Sequence, residues 1–159
     1  MITISENQRL SELNKRIFKQ KQERDLALGN QGEIECLPLF KKKFDKYLSK
    51  TGQFNTMDFI SPKTYVELKS RNYRFADFDD IMIGKNKVEF CLKSFRRCIL
   101  AWRFTDGIYY YEFDKNDMDE GNVFYAMGGR TDRGIDERKE VAYIKRHLLA
   151  PLFVEKLAI

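Results

Sequence analysis

Two acidic residues and a lysine stand at spacings that could support hydrolysis with a metal ion. Asp58 falls within residues 56–60 and Glu67 and Lys69 fall within residues 64–69, two short runs typical of β-strands. Alternate residues of a strand share one face. Glu67 and Lys69 are therefore expected to point the same way.

The turn between the two runs predicts which residues face each other. Folding the chain about Pro62 into an antiparallel hairpin pairs Ile60 with Tyr65 and sets Asp58 opposite Glu67. Directly opposed residues have Cβ atoms roughly 4.5–5.5 Å apart, and two carboxylates at that distance repel unless a cation lies between them. The hairpin therefore predicts a site for a divalent cation.

The chemistry of such a site would be phosphodiester hydrolysis. Mg²⁺ prefers a few carboxylates together with water and phosphate oxygens. The ion can lower the pKa of a bound water and neutralise charge that develops on the phosphate. Lys69 could orient the attacking water or offset negative charge in the transition state.

A solvated hairpin face explains the same charges and, from geometry alone, carries equal weight. The chain also contains a second acid-x-Lys triplet, at Glu137 and Lys139, at what reads as the start of a charged helix. Solvated charge is the ordinary explanation of that second triplet.

Other catalytic chemistries find few of the residues that they need. His147 is the only histidine, and the three cysteines, Cys36, Cys91 and Cys98, are odd in number and widely spaced. This pattern disfavours a disulfide framework and zinc sites, and no nucleophile motif accompanies His147. If the protein uses a metal ion, carboxylates should bind it, which indicates Mg²⁺ or Mn²⁺.

The composition indicates one globular domain. The chain has 159 residues, of which 43% are hydrophobic, and its formal net charge of +5 permits a polyanionic partner without requiring one. It shows neither a signal-peptide core nor an apolar run long enough for a bilayer, so we expect a soluble, intracellular protein.

The elements that would position the site begin with helices. Residues 5–28 predict a helix, residues 29–32 an interruption, and residues 34–48 a second helix that Pro38 kinks or restarts. We therefore expect an N-terminal helical arm, residues 1–28, and a single domain, residues 29–159.

The remaining pattern predicts a mixed sheet flanked by helices. After the hairpin come a third strand at residues 80–83 and a helix capped by Asn86 with Glu89 as its partner. The apolar stripe of that helix is expected to comprise Val88, Cys91, Leu92 and Phe95. Further strands are predicted at 98–104, 108–113 and 123–127, then a final helix at 136–149 that Pro151 ends. The fold class is α/β or α+β.

These residues resemble the PD-(D/E)XK nuclease superfamily, which has the restriction-endonuclease-like fold. Its signature is an acid at the end of one strand and acid-x-Lys on the next, matched here by Asp58 and by Glu67 with Lys69. Met57 stands where the proline that names the motif would be. The resemblance covers roughly residues 29–105 and implies a core of order α-β-β-β-α-β, to which a C-terminal hairpin and helix are added.

The resemblance also implies roles for individual residues. Asp58 and Glu67 would bind Mg²⁺, for which Mn²⁺ can substitute, and Lys69 would be catalytic. Glu33, on the helix before the first strand, would be a further metal ligand or act through water. Lys87, near the helix that follows the third strand, is the candidate for an additional basic group.

The implied substrate is DNA, with neither a membrane partner nor a small-molecule cofactor, and a homodimer is compatible with cutting two strands. Single basic residues are more often solvated, but several follow the site or line neighbouring loops. The predicted DNA-binding set is Arg71, Arg74, Lys85, Arg96, Arg97, Arg130 and Arg133. Tyr109, Tyr110 and Tyr111 could stack on bases, but tyrosines in a hairpin more often belong to a sheet core.

Three functions remain open at this point. The first is an endonuclease that uses a divalent metal to process DNA in recombination, repair, or a viral or mobile element. The second is a catalytically inactive nucleic-acid-binding module on a nuclease-like fold. The third is a structural or interaction protein whose hairpin charges are incidental.

Overall fold

A six-stranded sheet forms the centre of the computed structural model, which describes residues 5–52, 55–129 and 136–154. A long helix covers one face of this sheet, and a shorter helix and a three-stranded sheet cover the other. The helices are α1 (Glu6–Lys43), α2 (Lys85–Lys93) and α3 (Asn116–Asp119). The strands are β1 (Ser49–Lys50), β2 (Phe59–Ile60), β3 (Thr64–Ser70), β4 (Asp80–Ile83), β5 (Arg97–Phe104), β6 (Gly107–Glu112), β7 (Val123–Gly128), β8 (Lys139–Lys145) and β9 (Ala150–Val154).

Helix α1 is continuous, so the predicted interruption at residues 29–32 and the restart at Pro38 are wrong. Its start is fixed by a capping box, in which Ser5 Oγ accepts from the Gln8 amide and Gln8 Oε1 accepts from the Ser5 amide. A proline inside a helix leaves the carbonyl four residues earlier without its partner. Here that residue is Ile34, which is 70% exposed, so water can solvate the carbonyl.

Gly32 explains why a poor helix former sits inside α1. A Cβ atom at this position would lie 2.8 Å from Ser70 Oγ and 3.5 Å from Arg103 Nη1. Glycine therefore allows the helix backbone to approach β3 and β5 closely, at a cost of about 1 kcal/mol in helix propensity. The second half of α1 gains this back by packing Cys36 and Phe40 onto the sheet.

The six strands of the central sheet follow the order β1-β2-β3-β5-β6-β9. Only β3 and β5 are parallel, and the other pairs are antiparallel. Phe59 pairs with Val66 and Ile60 with Tyr65, which confirms the predicted hairpin register. The strand predicted for residues 56–60, however, is reduced to the two residues of β2.

A second sheet, of order β4-β8-β7, corrects two expectations. The predicted third strand exists as β4, but it pairs with β8 instead of joining the central sheet. The C-terminal helix predicted at residues 136–149 is wrong, because Lys139–Lys145 forms β8 and a short 3₁₀ turn leads into β9. Pro151 lies within β9, at the edge of the central sheet, where a missing N–H is tolerated.

Helix α2 buries a smaller apolar stripe than predicted. Gly84 takes the N-cap position without a side-chain hydrogen bond, so the predicted Asn86 cap is wrong. Val88 and Cys91 are buried, but Leu92 and Phe95 of the expected stripe are exposed.

The hairpin of β5 and β6 is confirmed, and with it the expectation for its tyrosines. Tyr109 and Tyr111 are buried and belong to the core between the two sheets. Tyr110 packs toward α1 on the opposite face. No helix in the described part of the chain combines the length and apolarity needed to cross a membrane.

Candidate active site

Strand β3 positions Glu67 and Lys69 on one face of the central sheet. Val66 and Leu68 alternate with them and point into the core beneath α1. The Glu67 side chain is 1% exposed, and Lys69 Nζ lies 2.9 Å from its Oε1 atom. The predicted shared face thus exists, and its carboxylate is buried instead of solvated.

Helix α2 brings a second lysine to the same carboxylate. Lys87 Nζ lies 3.2 Å from Glu67 Oε1 and also donates to the carbonyl oxygen of Thr56. Lys87 stands in the first turn of α2, where the helix dipole disfavours a positive charge and where no acidic residue occurs. The ion pair with Glu67 compensates for this placement.

Asp58 directly precedes β2, at the point where the regular pairing with β3 ends. The Asp58 amide donates a hydrogen bond to the Val66 carbonyl, at 3.1 Å. The next hydrogen bond along β3 is made by the Asp58 side chain and not by its backbone. Asp58 Oδ2 accepts a hydrogen bond from the Leu68 amide, at 2.8 Å. The carboxylate therefore takes the place of a backbone carbonyl and is held at the edge of β3 beside Glu67.

The surroundings of Asp58 favour its protonated form. Burial, reinforced by the negative charge of Glu67, raises the pKa of Asp58 to about 8. The hydrogen bond from Leu68 acts in the opposite direction, and Glu33 adds a smaller repulsion. The two carboxyl groups are close enough for a hydrogen bond between them when one is protonated.

Glu33 reaches the same region from α1, but it has a partner of its own. Lys50 Nζ, on β1, lies 3.0 Å from Glu33 Oε2, and the Glu33 side chain is 15% exposed. Lys50 was not among the predicted site residues. Neither was Thr51, whose hydroxyl donates to the Asp58 carbonyl at 3.1 Å. The pairing of β1 with β2 places Lys50 beside Phe59 and Thr51 beside Asp58, and the local sequence carries no signal of this pairing.

The donor set fits a hard divalent cation. Glu67 Oε2 is buried and, within the described residues, accepts no hydrogen bond, while the neighbouring Asp58 carboxyl would otherwise retain a proton. A cation between them would satisfy both carboxylates. Over residues 5–52, 55–129 and 136–154, no three histidine, cysteine or acidic side chains cluster closely enough to hold a metal ion. Glu33 therefore does not join the two carboxylates as a direct third member.

The predicted DNA-binding residues are spread over the molecule, and most already contact protein groups. Arg96 contacts Tyr65 and the Pro62 carbonyl, and Arg97 contacts Glu112, at the end of the sheet away from Lys69. Lys85 pairs with Glu140 and Glu89, and Arg74 with Asp77. Arg71 follows β3 and contacts the carbonyl oxygens of Ser70 and Met82. Arg130 and Arg133 lie outside the described residues.

A comparison with models of protein families identifies a family that the chain matches. The model of the family described as "Phage putative PDDEXK endonuclease" matches residues 40–146, about two thirds of the 159 residues. The matched segment contains Asp58, Glu67, Lys69 and Lys87, whereas Glu33 precedes it. No curated protein and no solved structure matched the chain. With Asp58 directly before β2, the Glu67–Lys69 pair on the neighbouring β3 and this match over about two thirds of the sequence, the chain belongs to this PD-(D/E)XK nuclease family.

Proposed function

We propose that this protein is an active endonuclease that hydrolyses DNA phosphodiester bonds with Mg²⁺, or with Mn²⁺ in its place. The observation that carries the proposal is the buried pair of carboxyls, Asp58 and Glu67, with two lysines on one side of Glu67. Within the described residues no cation contacts the Asp58 carboxyl, and burying this second carboxylate in its charged form would be costly without one. The family to which the chain belongs supports nuclease activity in general.

Asp58 and Glu67 would hold the cation, which when bound lowers the pKa of a water molecule and neutralises charge on the phosphodiester. Lys69 and Lys87 hold Glu67 Oε1, so Oε2, which makes no hydrogen bond within the described residues, would be the oxygen that binds the cation. Lys69 is 32% exposed and so can reach a substrate phosphate, whereas Lys87 is 14% exposed and mainly orients Glu67. Glu33 would act through a water molecule, because Lys50 already binds its carboxylate.

The test is the nicking of supercoiled plasmid DNA, with branched and single-stranded DNA as further substrates. The wild-type protein should cleave with Mg²⁺ or Mn²⁺ and should be inactive in EDTA. Asp58→Asn, Glu67→Gln and Lys69→Met should each lose about a hundredfold or more of the cleavage rate.

The second acid-x-Lys triplet provides a matched control. Lys139 is exposed at the start of β8, so Lys139→Met removes the same charge from the same kind of motif and should cleave like the wild type. Binding of DNA without any cleavage would instead support the inactive binding module. If neither binding nor cleavage occurs on any substrate, the protein is an interaction protein and the proposal fails.

A further inference from the structure

The turn that follows α2 projects a phenylalanine into solvent. Phe95 is 107% exposed, the highest value among the exposed large hydrophobic side chains of the described residues. Leu92, in the last turn of α2, is also exposed, at 45%. Covering an aromatic side chain of this kind is favourable, so a partner that packs on Phe95 would gain free energy from the contact.

Hydrogen bonds on both sides of Phe95 hold the turn in place. Ser94 Oγ accepts from the Arg96 amide at 3.0 Å and donates to the Arg96 carbonyl at 3.2 Å. The Arg96 side chain is anchored as well, because Nε donates to the Pro62 carbonyl at 3.1 Å and Nη1 to the Tyr65 hydroxyl at 2.7 Å. Since both neighbours of Phe95 are held, little order has to be gained when its ring is covered.

The charge around Phe95 favours a polyanion. From Lys85 to Arg97 the chain has five basic residues and one acidic residue. Lys93 and Arg96 are exposed, and neither makes an ion pair within the described residues. Arg96 spends its hydrogen bonds on a carbonyl and a hydroxyl, so its positive charge is not neutralised by those contacts.

An aromatic ring between unpaired cations is typical of surfaces that bind single-stranded nucleic acid. In such surfaces the cations follow the phosphates and the ring stacks on a base. The core of a protein–protein interface is instead depleted in charged residues, lysine among them. The combination of Lys93, Phe95 and Arg96 therefore favours a nucleic acid strand over a protein partner.

Helix α2 connects this turn to the carboxyl pair. Its first turn carries Lys87 to Glu67, and the turn beyond its end carries Arg96 to the Pro62 carbonyl. Lys63, next to Pro62, is four residues from Glu67 along the chain, which corresponds to about 13 Å in an extended strand. This is about four nucleotide steps at the spacing of roughly 3.4 Å along one DNA strand. A strand with a phosphodiester at the carboxyl pair can therefore reach the turn.

We propose that Phe95 stacks on an unpaired nucleobase of the DNA, with Lys93 and Arg96 on the adjoining phosphates. The inference rests on the proposed function for its DNA substrate, and it names the class of that substrate as DNA with unpaired nucleotides. In a continuous duplex every base is already paired and stacked, so the ring could reach a base only if a pair opened, which costs free energy.

The test is the equilibrium binding of the full-length protein to labelled DNA in EDTA, followed by fluorescence anisotropy, so that no cleavage intervenes. The probes are a single strand of thymidine nucleotides and the same strand paired with its adenosine complement. The wild-type protein should bind the single strand more tightly than the duplex. Tighter binding of the duplex would contradict the proposed substrate class.

Replacing the ring links this preference to the turn. Phe95→Ala should weaken binding of the single strand about tenfold and binding of the duplex less than about twofold, because only unpaired bases can stack on the ring. Since Phe95 is fully exposed, the substitution should leave the midpoint of thermal unfolding unchanged. Phe153→Ala is the matched control, because Phe153 is 53% exposed on β9, and it should change neither affinity.

A fluorescent ring at the same position gives a second measurement. The single native tryptophan, Trp102, is fully buried, so Phe95→Trp adds a distinct exposed reporter. This variant keeps an aromatic ring and should retain the affinity for the single strand. Its fluorescence should be quenched by the single strand and not by the duplex.

Two outcomes with Phe95→Ala would overturn the proposal. One is an equal change, or no change, in the affinities for single strand and duplex. The other is the loss of a self-association that the wild type shows in sedimentation without DNA, because a second copy would then cover the ring. Nicking by the wild type with Mg²⁺ is measured separately. Binding as expected without cleavage contradicts only the proposed nuclease activity, whereas cleavage without the difference in binding contradicts only the role of Phe95.

Discussion

Glu67 makes unequal use of its two carboxylate oxygens. Oε1 contacts the ammonium groups of Lys69 and Lys87, and Oε2 is buried beside Asp58 without a hydrogen bond. The two lysines fix the Glu67 carboxylate in one orientation. Within the described residues no lysine or arginine contacts the Asp58 carboxyl, and burial together with the charge of Glu67 raises its pKa.

Replacing Lys87 should weaken the folded protein as well as its activity. Lys87→Met removes one of the two cations from a carboxylate that is 1% exposed, so we expect a loss of about 1–3 kcal/mol in the free energy of unfolding. Lys85→Met is the matched control for stability, because the ion pairs of Lys85 are at the surface, where solvent screens them, and should contribute much less than those of Lys87. Urea unfolding of both variants measures the difference. An equal effect of the two substitutions would contradict a buried role for Lys87.

Asp58 should make the metal-free protein less stable as the pH rises. Below about pH 4 both the folded and the unfolded protein hold the proton of this carboxyl. Between about pH 4 and about pH 8 the unfolded chain releases the proton. The folded protein, in which the pKa of Asp58 is about 8, retains it. Stability therefore falls across this window, by at most about 1.4 kcal/mol per pH unit, and does not fall further above it.

Urea unfolding in EDTA at several pH values between 5 and 9 tests this expectation. Asp58→Asn keeps an acceptor for the Leu68 amide but cannot ionise, so the variant should lack this part of the pH dependence and should exceed the wild type in stability near pH 8. Identical pH dependence in the two proteins would show that Asp58 is ionised in the folded state.

Sequence spacing predicts the centre of the site but not its periphery. Glu67 and Lys69 follow from the two-residue period of a strand, and Asp58 follows from the hairpin register, since both depend on neighbours in sequence. Lys50 could not be found in this way, because the pairing of β1 with β2 determines where it lies. The hydrogen bond between the Asp58 side chain and the Leu68 amide likewise depends on where β2 begins.

Among the elements, α1 depends most on contacts with the sheet. Phe40 is fully buried, with its ring 5.5 Å from that of Phe59. Phe40→Ala should therefore lower the free energy of unfolding by about 3–5 kcal/mol. Ile34→Ala, on the exposed side of the same helix, should change it by less than about 0.5 kcal/mol. Thermal and urea unfolding compare the two, and a small effect at Phe40 would mean that α1 contributes little to the core.

Local patterns predicted the elements whose partners are close in sequence. The hairpin of β5 and β6 was recognised from its turn, and β7 from its apolar run. The C-terminal segment was predicted to be a helix because Val141 and Ile144 stand at helical spacing, although both lie in β8. Their burial comes from β4, about sixty residues earlier, which pairs with β8 on one side while β7 pairs on the other. Tertiary pairing of this kind overrides local preference.

At the scale of the whole molecule, the first part of α1 stands apart from the core. Every described residue from Ser5 to Arg16 is exposed, and buried residues of α1 begin only at Gly32. Deleting residues 1–16 should therefore leave the domain folded and change its midpoint of thermal unfolding by only a few degrees. Deleting residues 1–40, which include Cys36 and Phe40, should abolish cooperative unfolding. A large fall in the midpoint of thermal unfolding with the shorter deletion would show that residues 1–16 contribute to the stability of the fold.

The central sheet thus separates two regions with different chemistry. The carboxyl pair and its lysines lie toward α2, and a cavity of about 490 Å³ lies toward α1. Both regions draw on β3, where consecutive residues, Lys69 and Ser70, belong to opposite faces.

The hydrogen bond from the Leu68 amide to Asp58 allows a backbone amide to report on the state of the Asp58 carboxyl. An amide proton held by a carboxylate exchanges with solvent only when that contact opens, and its resonance frequency responds to the charge of the acceptor. A single backbone resonance, Leu68, would thus report proton loss from Asp58, arrival of a cation and fraying of the strand edge. A ¹⁵N-labelled sample could follow the state of the site without a substrate, a chromophore or a turnover.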